Sequence, residues 1–528
     1  MRRGRKRVDA SLPNSGSAVS YGLMVVLLAI APLFAIAADK GKPDLTDDPK
    51  RLLKQAEKLI RRGEFAEAER ILNEASKALG DDPYPKLRLA QLFIKQRRLT
   101  EAYDIAFPEA KAEPKNAYAY AVLGGTMLGI GRFRDARALF YSAIRIDKSN
   151  AYAWYGYGML EFYENRINES LANLEEAVYH DPNEPDYVFA LAQVSARAER
   201  YKAAADSYKR FLSISKDTDD ERRARIRGLI NFLTFLGDRQ VLYATDGADR
   251  TTVPVVLAGN RPVVQMEVNG RDEPLDFVLD TGSGISVISE ETAKRLKIRP
   301  ITKGGFARGI GGDGRFEIVY GFVREVRIGD VVIRNVPVYI RKFHSDGQKI
   351  DGYIGLSLIS KFLTTLDYGS LTFSLAKPFN DRSVNPVAES IALPLRLTSS
   401  GFLSGEVQLA GVEAPLNFIV DTGASVSVIS DEVASLDAIS PHEQPEKMRV
   451  IGSAGVTEGV SSFQLPSVSF GPHLKRDITA IALNLEMINE ASGFQQAGIL
   501  GGNFLKNFKL TFDFKNSQVT FSPLDIVP

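Results

Sequence analysis

Two acidic residues occupy equivalent positions in two near-copies of one short segment. The copies run over residues 274–289 (PLDFVLDTGSGISVIS) and 415–430 (PLNFIVDTGASVSVIS), start 141 residues apart and share ten of sixteen residues. Each carries Asp-Thr-Gly behind an apolar run, which matches Asp280 with Asp421. Two adjacent carboxyl groups cannot both ionise easily, so one can activate water while its protonated partner protonates a carbonyl oxygen. The pair therefore predicts acid-catalysed hydrolysis of a peptide bond.

The residues after each aspartate also have chemical reasons to be there. Gly282 and Gly423 allow the chain to turn tightly and present the carboxyl group. Ser283 could donate a hydrogen bond to the carboxylate and Ala424 cannot, so we expect the pair to be slightly asymmetric. A single Asp-Thr-Gly is also good turn chemistry, and either aspartate alone could be an ordinary turn residue. The two matched contexts favour a functional pair.

Three further landmarks follow each aspartate in the same order. A glycine-rich stretch comes first, at Ile310, Gly311 and Gly312 and, 141 residues later, at Ile451 and Gly452. Tyr353-Ile354-Gly355 and Ile499-Leu500-Gly501 come next, followed by Asp367 and Asp513, both pairs being 146 apart. This shared order within one chain indicates an internal duplication. We expect Asp367 and Asp513 to lie in structural turns, and His344 and His473 in solvated loops.

Residues past Thr252 form short β-branched runs separated by turn residues, as all-β units do. In the first unit the expected strands are 253–257, 263–268 and 275–279, with Asn269-Gly270 as a hairpin turn. In the second unit they are 393–397, 405–409 and 416–420. The two units resemble retropepsin-like aspartic protease lobes, and the resemblance covers about half the chain.

This resemblance implies closed, mostly antiparallel β lobes that meet around a substrate cleft, with Asp280 and Asp421 as the catalytic pair. It implies that the hydroxyl groups of Thr281 and Thr422 hold the two active-site loops together, and that the apolar-Gly pairs support those loops from beneath. It also implies flaps that close over the substrate, formed by Ile310, Gly311, Gly312, Ile451 and Gly452. The second flap departs from the Gly-Gly form at residues 453–455.

A different pattern occupies the region before these units. From residue 48 the sequence repeats with a period of 34, at starts 48, 82, 116, 150 and 184. Small residues recur where paired helices must cross closely, at Ala56, Ala90, Gly124, Gly158 and Ala192, and again at Ala68, Ala102, Ala136, Ser170 and Ala204. The pattern resembles the tetratricopeptide repeat, which stacks into a superhelix with a concave protein-binding groove. A capping helix over 219–236 and a polar connector over 237–252 are expected to follow.

Composition excludes several classes of function. The chain of 528 residues has 66 basic and 65 acidic residues, four scattered histidines and no cysteine. No global charge points to nucleic acid, and thiol catalysis, disulfides and cysteine-based metal sites are excluded. We expect no cofactor and no metal.

The N-terminus predicts export. Five basic residues within positions 2–7 precede an uncharged apolar stretch of eighteen residues, Tyr21–Ala38, which ends in Ala35-Ile36-Ala37. This arrangement is typical of a cleaved signal peptide, and a retained membrane anchor is the alternative. Either one places the rest of the chain outside the cytoplasm, in the periplasm or cell envelope.

Together these features predict a signal peptide or anchor at 1–38, a tetratricopeptide repeat superhelix with its capping helix at 48–240, and two all-β retropepsin-like lobes at 251–377 and 388–528. The predicted function is that of an exported aspartic endopeptidase whose array recruits a protein partner or substrate. The alternative is a non-catalytic scaffold that binds peptides, and a cell-wall stem peptide is another conceivable substrate. The two lobes could pair within one chain or between two chains.

Overall fold

The computed structural model describes residues 48–216, 219–239, 241–271, 273–312, 314–343, 349–377, 390–394 and 396–524. The predicted signal segment, His344 and most of the connector between the two β units lie outside these residues. Among the helices of the described residues, none is both long and apolar enough to cross a membrane.

Eleven consecutive helices precede the first strand of the described chain. They are α1 Pro49–Arg62, α2 Phe65–Leu79, α3 Tyr84–Lys95, α4 Leu99–Ala112, α5 Ala117–Ile130, α6 Phe133–Ile146, α7 Ala151–Tyr163, α8 Ile167–His180, α9 Pro185–Arg197, α10 Tyr201–Ile214 and α11 Asp220–Gly237. The second helix of every pair begins 34 residues after its predecessor, at positions 65, 99, 133, 167 and 201. The predicted repeat array is therefore confirmed, and α11 occupies the position predicted for the capping helix.

Local sequence explains where these helices begin and why they pack closely. The side chains of Asn116 and Asn150 accept hydrogen bonds from the backbone of Ala119 and Ala153, at 3.0 and 2.9 Å, and so cap α5 and α7. The predicted small positions are buried at the crossings. A Cβ on Gly158 would lie 2.8 Å from Leu174 of the paired helix, which explains why glycine occupies this crossing.

The first β unit follows the array. Its strands are β1 Ala244–Gly247, β2 Arg250–Ala258, β3 Arg261–Val268, β4 Leu275–Leu279, β5 Val287–Ser289, β6 Thr302–Arg308, β7 Arg315–Ile328, β8 Val331–Arg341, β9 Gly352–Ile354, β10 Leu363–Asp367 and β11 Thr372–Ala376. Two short helices interrupt them, α12 Glu290–Arg295 and α13 Leu356–Ile359.

The second β unit repeats this order. Its strands are β12 Ile391–Pro394, β13 Arg396–Leu397, β14 Leu403–Leu409, β15 Leu416–Val420, β16 Ser427–Ser430, β17 Glu443–Ile451, β18 Val456–Phe470, β19 His473–Leu483, β20 Gly498–Leu500, β21 Phe508–Asp513 and β22 Gln518–Pro523. Its helices are α14 Asp431–Ala434, the 3₁₀ turn Ser440–His442, α15 Glu486–Ser492 and α16 Gly502–Leu505.

The two β units are closed lobes of the same topology. In lobe 1 the strand order β3-β4-β9-β5-β8-β7-β6 is closed by pairing of β3 with β7. In lobe 2 the order β14-β15-β20-β16-β19-β18-β17 is closed by pairing of β14 with β18. Strands β4 and β15 hold equivalent central positions, and each ends at the residue before an active-site aspartate. The duplication read from the sequence is thus a duplication of fold.

A sheet shared by both lobes joins them at their bases. Its order is β12-β22-β21-β10-β11-β2, so strands from the end of lobe 2 add to strands of lobe 1. Strands β10 and β21 are antiparallel, with Leu366 opposite Leu510. Asp367 and Asp513 accept backbone hydrogen bonds in the turns that follow, from Gly369 at 2.9 Å and Asn516 at 3.0 Å. The prediction of structural turns at these two aspartates is confirmed.

Three local predictions were wrong. The connector after the array is not simply a linker, because β1 lies within it and pairs with β8. The strand expected at 393–397 divides between sheets, since β12 pairs with β22 and β13 with β14. His473 is not in a solvated loop: it begins β19 and is buried, with its ring 5.0 Å from that of Phe508. Distant pairing explains β1 and β12, which pair with β8 and β22, whereas His473 is buried by contacts with the rings of Phe508 and Phe521.

The array packs directly against both lobes. Phe494 of lobe 2 is fully buried among the repeat helices, with its ring centroid 5.0 Å from that of Phe133 and 5.2 Å from that of Tyr163. On lobe 1, Phe232 of α11 stacks on Tyr320 of β7 at 4.4 Å. The repeat helices therefore form a wall of the same body that contains the two lobes.

Candidate active site

The two Asp-Thr-Gly loops lie side by side in one chain. Each loop follows a central strand and is tied to the apolar-Gly segment of its own lobe. The backbone amide of Asp280 donates to the carbonyl of Ile354, and that of Asp421 to the carbonyl of Leu500, both at 3.0 Å. The supporting position predicted for these apolar-Gly segments is confirmed.

The glycine of each loop faces the aspartate of the other loop. A Cβ on Gly282 would lie 2.5 Å from the carboxyl carbon of Asp421, and one on Gly423 would lie 2.7 Å from Asp280 Oδ1. Each glycine amide also donates to the aspartate of its own loop, at 3.0 Å in lobe 1 and 2.7 Å in lobe 2. Glycine is thus required here because the opposite carboxyl group occupies the space that a side chain would need.

Reciprocal threonine bonds hold the loops together. Thr281 Oγ1 donates to the carbonyl of Val420 and Thr422 Oγ1 donates to the carbonyl of Leu279, both at 2.6 Å. Thr281 Oγ1 also accepts the backbone amide of Thr422 at 3.0 Å, and Thr422 Oγ1 accepts that of Thr281 at 3.2 Å. Both side chains are fully buried. Four bonds across the lobe boundary therefore fix the separation of the two carboxyl groups.

Ser283 and Ala424, which follow the two Asp-Thr-Gly segments, do not make the carboxyl pair asymmetric in the way expected. Ser283 does not donate to a carboxylate, because its hydroxyl bonds the carbonyl of Ile285 at 2.8 Å. Ala424 has no hydroxyl to offer. The nearby backbone carbonyl competes successfully for the serine donor, so the carboxyl pair is bonded by amides rather than by Ser283.

Burial and proximity change the acidity of the pair. Burial raises the pKa of Asp280 well above its usual range, and the charge of the adjacent Asp421 raises it further. Burial also raises the pKa of Asp421, but hydrogen bonds from Asp280 and from several backbone amides oppose that change. The pair therefore retains a shared proton above the usual range of a carboxylic acid.

Two flaps meet above the pair. The tip between β6 and β7 contains Ile310, Gly311 and Gly312, and the tip between β17 and β18 contains Gly452. The amide of Ala454 donates to the carbonyl of Ile310 at 2.8 Å, and the amide of Gly312 donates to the carbonyl of Val456 at 3.2 Å.

The two flap isoleucines differ in their surroundings. Ile310 packs into an apolar cluster of the opposite lobe. Ile451, at the base of the second tip, is 37% exposed. The structure thus places a flap on each lobe but gives the two flap isoleucines different environments.

A cavity of about 2630 Å³ extends from the carboxyl pair to the concave face of the repeat array. Asp280, Asp421 and both flap tips line one part of it, while Tyr152, Tyr155 and Tyr187 line another. Those tyrosines belong to a series of contacting rings, with Tyr155 and Tyr187 at 4.9 Å. The repeat groove and the space around the carboxyl pair are therefore continuous.

Sequence reasoning missed three residues that shape this site. Ser286 and Ser427 accept the amides of Gly355 and Gly501, both at 3.1 Å, and so fix the supporting segments. Their identity at a spacing of 141 could have revealed them. Arg341 lies close enough to Asp280 for that carboxyl group to oppose the fall in the pKa of Arg341 that burial causes. No sequence signal marks Arg341, because only closure of the lobe brings β8 beside the catalytic loop.

Comparison with known families agrees with this geometry. The family model described as aspartyl protease matches residues 264–358 and again residues 405–504. The chain carries two aspartyl protease domains. The tetratricopeptide repeat model matches residues 158–220, within the helical array that precedes the aspartyl protease domains. No curated protein matches the chain.

Three solved structures are among those similar to parts of this chain. A thermophilic TPR protein of Thermus thermophilus is 19% identical over 35% of this chain and 99% of its own, with a TM-score of 0.30. MamA from Desulfovibrio magneticus RS-1 is 21% identical over 34% of this chain and 100% of its own, with a TM-score of 0.23. Pseudomonas aeruginosa PilF is 14% identical over 36% of this chain and 86% of its own, with a TM-score of 0.27.

Proposed function

We propose that this protein is an exported aspartic endopeptidase that hydrolyses peptide bonds through Asp280 and Asp421 of the same chain. The observation that carries the proposal is the contact between the two carboxyl groups, which are held by amides of both loops beneath paired flaps. A module that only binds peptides has no need for two half-buried carboxyl groups in contact, since holding two like charges together away from bulk water costs free energy.

In the proposed mechanism the resting pair shares one proton, and the following steps start with that proton on Asp280. Asp421 removes a proton from a water molecule while the oxygen of that water attacks the carbonyl carbon of the peptide bond. Asp280 donates its proton to the carbonyl oxygen. Asp421 then protonates the leaving nitrogen, the carbon–nitrogen bond breaks, and a proton returns from the intermediate to Asp280. The cycle ends in the protonation state from which it began.

The paired flaps support this mechanism by enclosing the reacting groups. Backbone groups of the two tips hydrogen-bond to each other, so the closed flaps cover the carboxyl pair without using side-chain donors. In this proposal the bonds between the tips open to admit a substrate. Closing them again would exclude bulk water and strengthen electrostatic interactions around the carboxyl pair.

The continuity of the cavity supports recruitment by the repeat array. Lys95 and Asp186 form a 2.8 Å ion pair between α3 and α9, and both line the cavity beside the tyrosine series. Aromatic rings and partly exposed charges are suited to holding an extended polypeptide. In this proposal a protein substrate rests on the array while a segment of it enters the cleft.

The proposal of export rests on the N-terminal sequence. Five basic residues before an eighteen-residue apolar stretch favour transfer of the chain across a membrane. Cell fractionation followed by N-terminal sequencing tests it: a periplasmic or envelope protein beginning near Asp39 supports a cleaved signal. An intact N-terminus in the membrane fraction supports an anchor, and an intact cytoplasmic protein contradicts export.

Peptide cleavage tests the enzymatic proposal. Purified wild-type protein should cleave members of a mixed peptide library between about pH 3 and pH 7, and a hydroxyl-bearing transition-state mimic should block it. Asp280→Asn and Asp421→Asn should each reduce kcat by about 10³-fold or more. Unchanged cleavage by both variants would overturn the mechanism. Absence of any cleavage, together with failure to bind the mimic, would favour a peptide-binding scaffold.

A further inference from the structure

The two halves of the cleft are built from equivalent strands but differ in the polarity of the side chains that line them. The matched residues Val287 and Val428 pair with Tyr339 and Tyr353 in lobe 1, and with Ile481 and Ile499 in lobe 2. The pairing therefore makes Tyr339 equivalent to Ile481 and Tyr353 equivalent to Ile499. At both positions lobe 1 has a polar aromatic residue where lobe 2 has an aliphatic one.

Two arginines of lobe 1 also have apolar equivalents in lobe 2. Arg341 pairs with Ser289 in lobe 1, and Leu483 pairs with the matched Ser430 in lobe 2. The register of β3 and β14 likewise makes Arg261 equivalent to Phe402. All four pairs of equivalent residues line the cavity around the carboxyl pair. The half of the cleft on lobe 1 is thus cationic and polar, and the half on lobe 2 is apolar.

The hydrogen-bond donors of the Arg341 side chain are not all paired. Its guanidinium lies 3.8 Å from the centre of the Phe316 ring, and one terminal nitrogen donates to the carbonyl of Ser453 on the opposite flap. Its Nε is buried without a partner among the described residues. Burial lowers the pKa of Arg341, and the nearby Tyr353 and Asp280 only partly oppose this effect. A buried donor without a partner costs free energy that an incoming acceptor would recover.

The remaining charged residues do not cancel this contrast. Those lining the lobe 1 side are Arg261, Glu290, Glu291, Lys294, Lys342, Lys349 and Lys361. Glu290 is already paired with Lys294 at 2.8 Å. On the lobe 2 side the remaining charged lining residues are Arg449, Glu490 and Lys515, of which Arg449 is paired with Glu458 at 2.8 Å. The apolar cluster of Ile419, Val428, Ile481 and Ile499 forms the wall next to Asp421.

We propose that the cleft selects peptide bonds with an acidic side chain on the lobe 1 side and a large aliphatic side chain on the lobe 2 side, with Arg341 as the residue that binds the acid. This inference rests on the proposed peptidase function and specifies its substrate. Arginine suits the role because its planar fork bonds a carboxylate in two places. Without such a cation, the negative charge on the carboxyl pair would repel an acidic side chain.

Four matched peptides test the inference. They carry Glu-Leu, Gln-Leu, Leu-Glu or Leu-Gln around the same scissile bond and are assayed at about pH 6, where glutamate is ionised. In one of the two orientations, wild-type kcat/KM should be about tenfold higher for the Glu peptide than for its Gln partner. In Arg341→Leu, which installs the lobe 2 residue, the ratio should fall below about twofold. Arg341→Lys should retain part of it.

Arg334→Leu is the matched control, because Arg334 lies on the same strand outside the cavity and pairs with Asp246 at 3.2 Å. It should keep the wild-type ratio. A wild-type enzyme that cleaves Glu and Gln peptides equally overturns the inference, as does an Arg341→Leu variant that keeps the preference.

Binding separates this inference from the proposed function. The Asp280→Asn/Asp421→Asn protein should bind the preferred Glu peptide about tenfold more tightly than its Gln partner, as measured by fluorescence anisotropy. If the wild-type protein cleaves none of the four peptides, the peptidase proposal fails for them and this binding ratio alone decides the inference. Equal binding of both peptides then overturns it.

Discussion

The residues around Asp280 and Asp421 hold the two carboxyl groups in contact. The glycine of each loop accommodates the other loop's carboxyl group, and the threonines bond across the boundary at 2.6 Å. A carboxyl pair held in this way cannot relax apart when it becomes charged. The glycines and threonines of the two loops therefore set the geometry of the carboxyl pair.

Replacing Thr422 with valine tests this role. The change keeps the shape of the side chain but removes the hydroxyl, and it leaves the carbonyl of Leu279 and the amide of Thr281 without their partner. We expect the free energy of unfolding to fall by about 1–3 kcal/mol, with a parallel loss of kcat. Chemical denaturation measures the first effect. Thr252→Val, at an exposed strand position, should change stability little, and equal effects of both variants would contradict the role.

The raised pKa of Asp280 predicts a pH-dependent cost to folding. A carboxyl group whose folded-state pKa lies above its unfolded value favours the folded protein at low pH, and this advantage is lost as pH rises through the folded pKa. Asp280→Asn removes the cost, so at about pH 7 the variant should have a higher Tm than wild type. The difference should shrink toward about pH 4, and a difference that grows on acidification would contradict the burial argument.

At the scale of elements, the two flaps depend on each other for closure. Gly311 has φ of 91°, and a Cβ there would lie 2.2 Å from the carbonyl oxygen of Gly455 on the opposite flap. Contact between the tips therefore requires glycine at this position.

Gly311→Ala should separate the tips and lower kcat/KM by about tenfold or more. Gly459→Ala provides the control, because Gly459 also has positive φ, at 70°, but open space around it. The control bears the backbone strain without the clash, so it should lose stability rather than catalysis. A similar loss of kcat/KM in both variants, measured with one peptide, would show that closure of the tips is not what Gly311 provides.

Elements with a repeated sequence could be predicted, and those placed by distant partners could not. The array is visible because small residues recur every 34 positions at helix crossings, and Asp280 and Asp421 because their whole context is duplicated. Arg341 occurs once, and its position beside Asp280 follows only from the pairing of β8 with β5. His473 illustrates the same limit, since its burial depends on the rings of Phe508 and Phe521.

At the scale of the whole molecule, the repeat array adds a binding surface to the space around the carboxyl pair. Lys95 lines the shared cavity and Lys209 does not, although both are paired with an aspartate, at 2.8 and 2.9 Å. Lys95→Glu should therefore weaken cleavage of an unfolded protein substrate by about fivefold, with Lys209→Glu as control. Cleavage of a short peptide should be unaffected by either change. Equal loss on both substrates in Lys95→Glu would contradict recruitment by the array.

The central claim is that one chain contains a complete catalytic pair. Its most direct test is peptide cleavage by Asp280→Asn alone, by Asp421→Asn alone, and by an equimolar mixture of the two after joint refolding. Because the shared sheet and the threonine bonds join lobes of the same chain, every one of the three samples should remain about 10³-fold or more below wild type. Recovery of activity in the mixture, or full activity in either single variant, would contradict a pair formed within the chain.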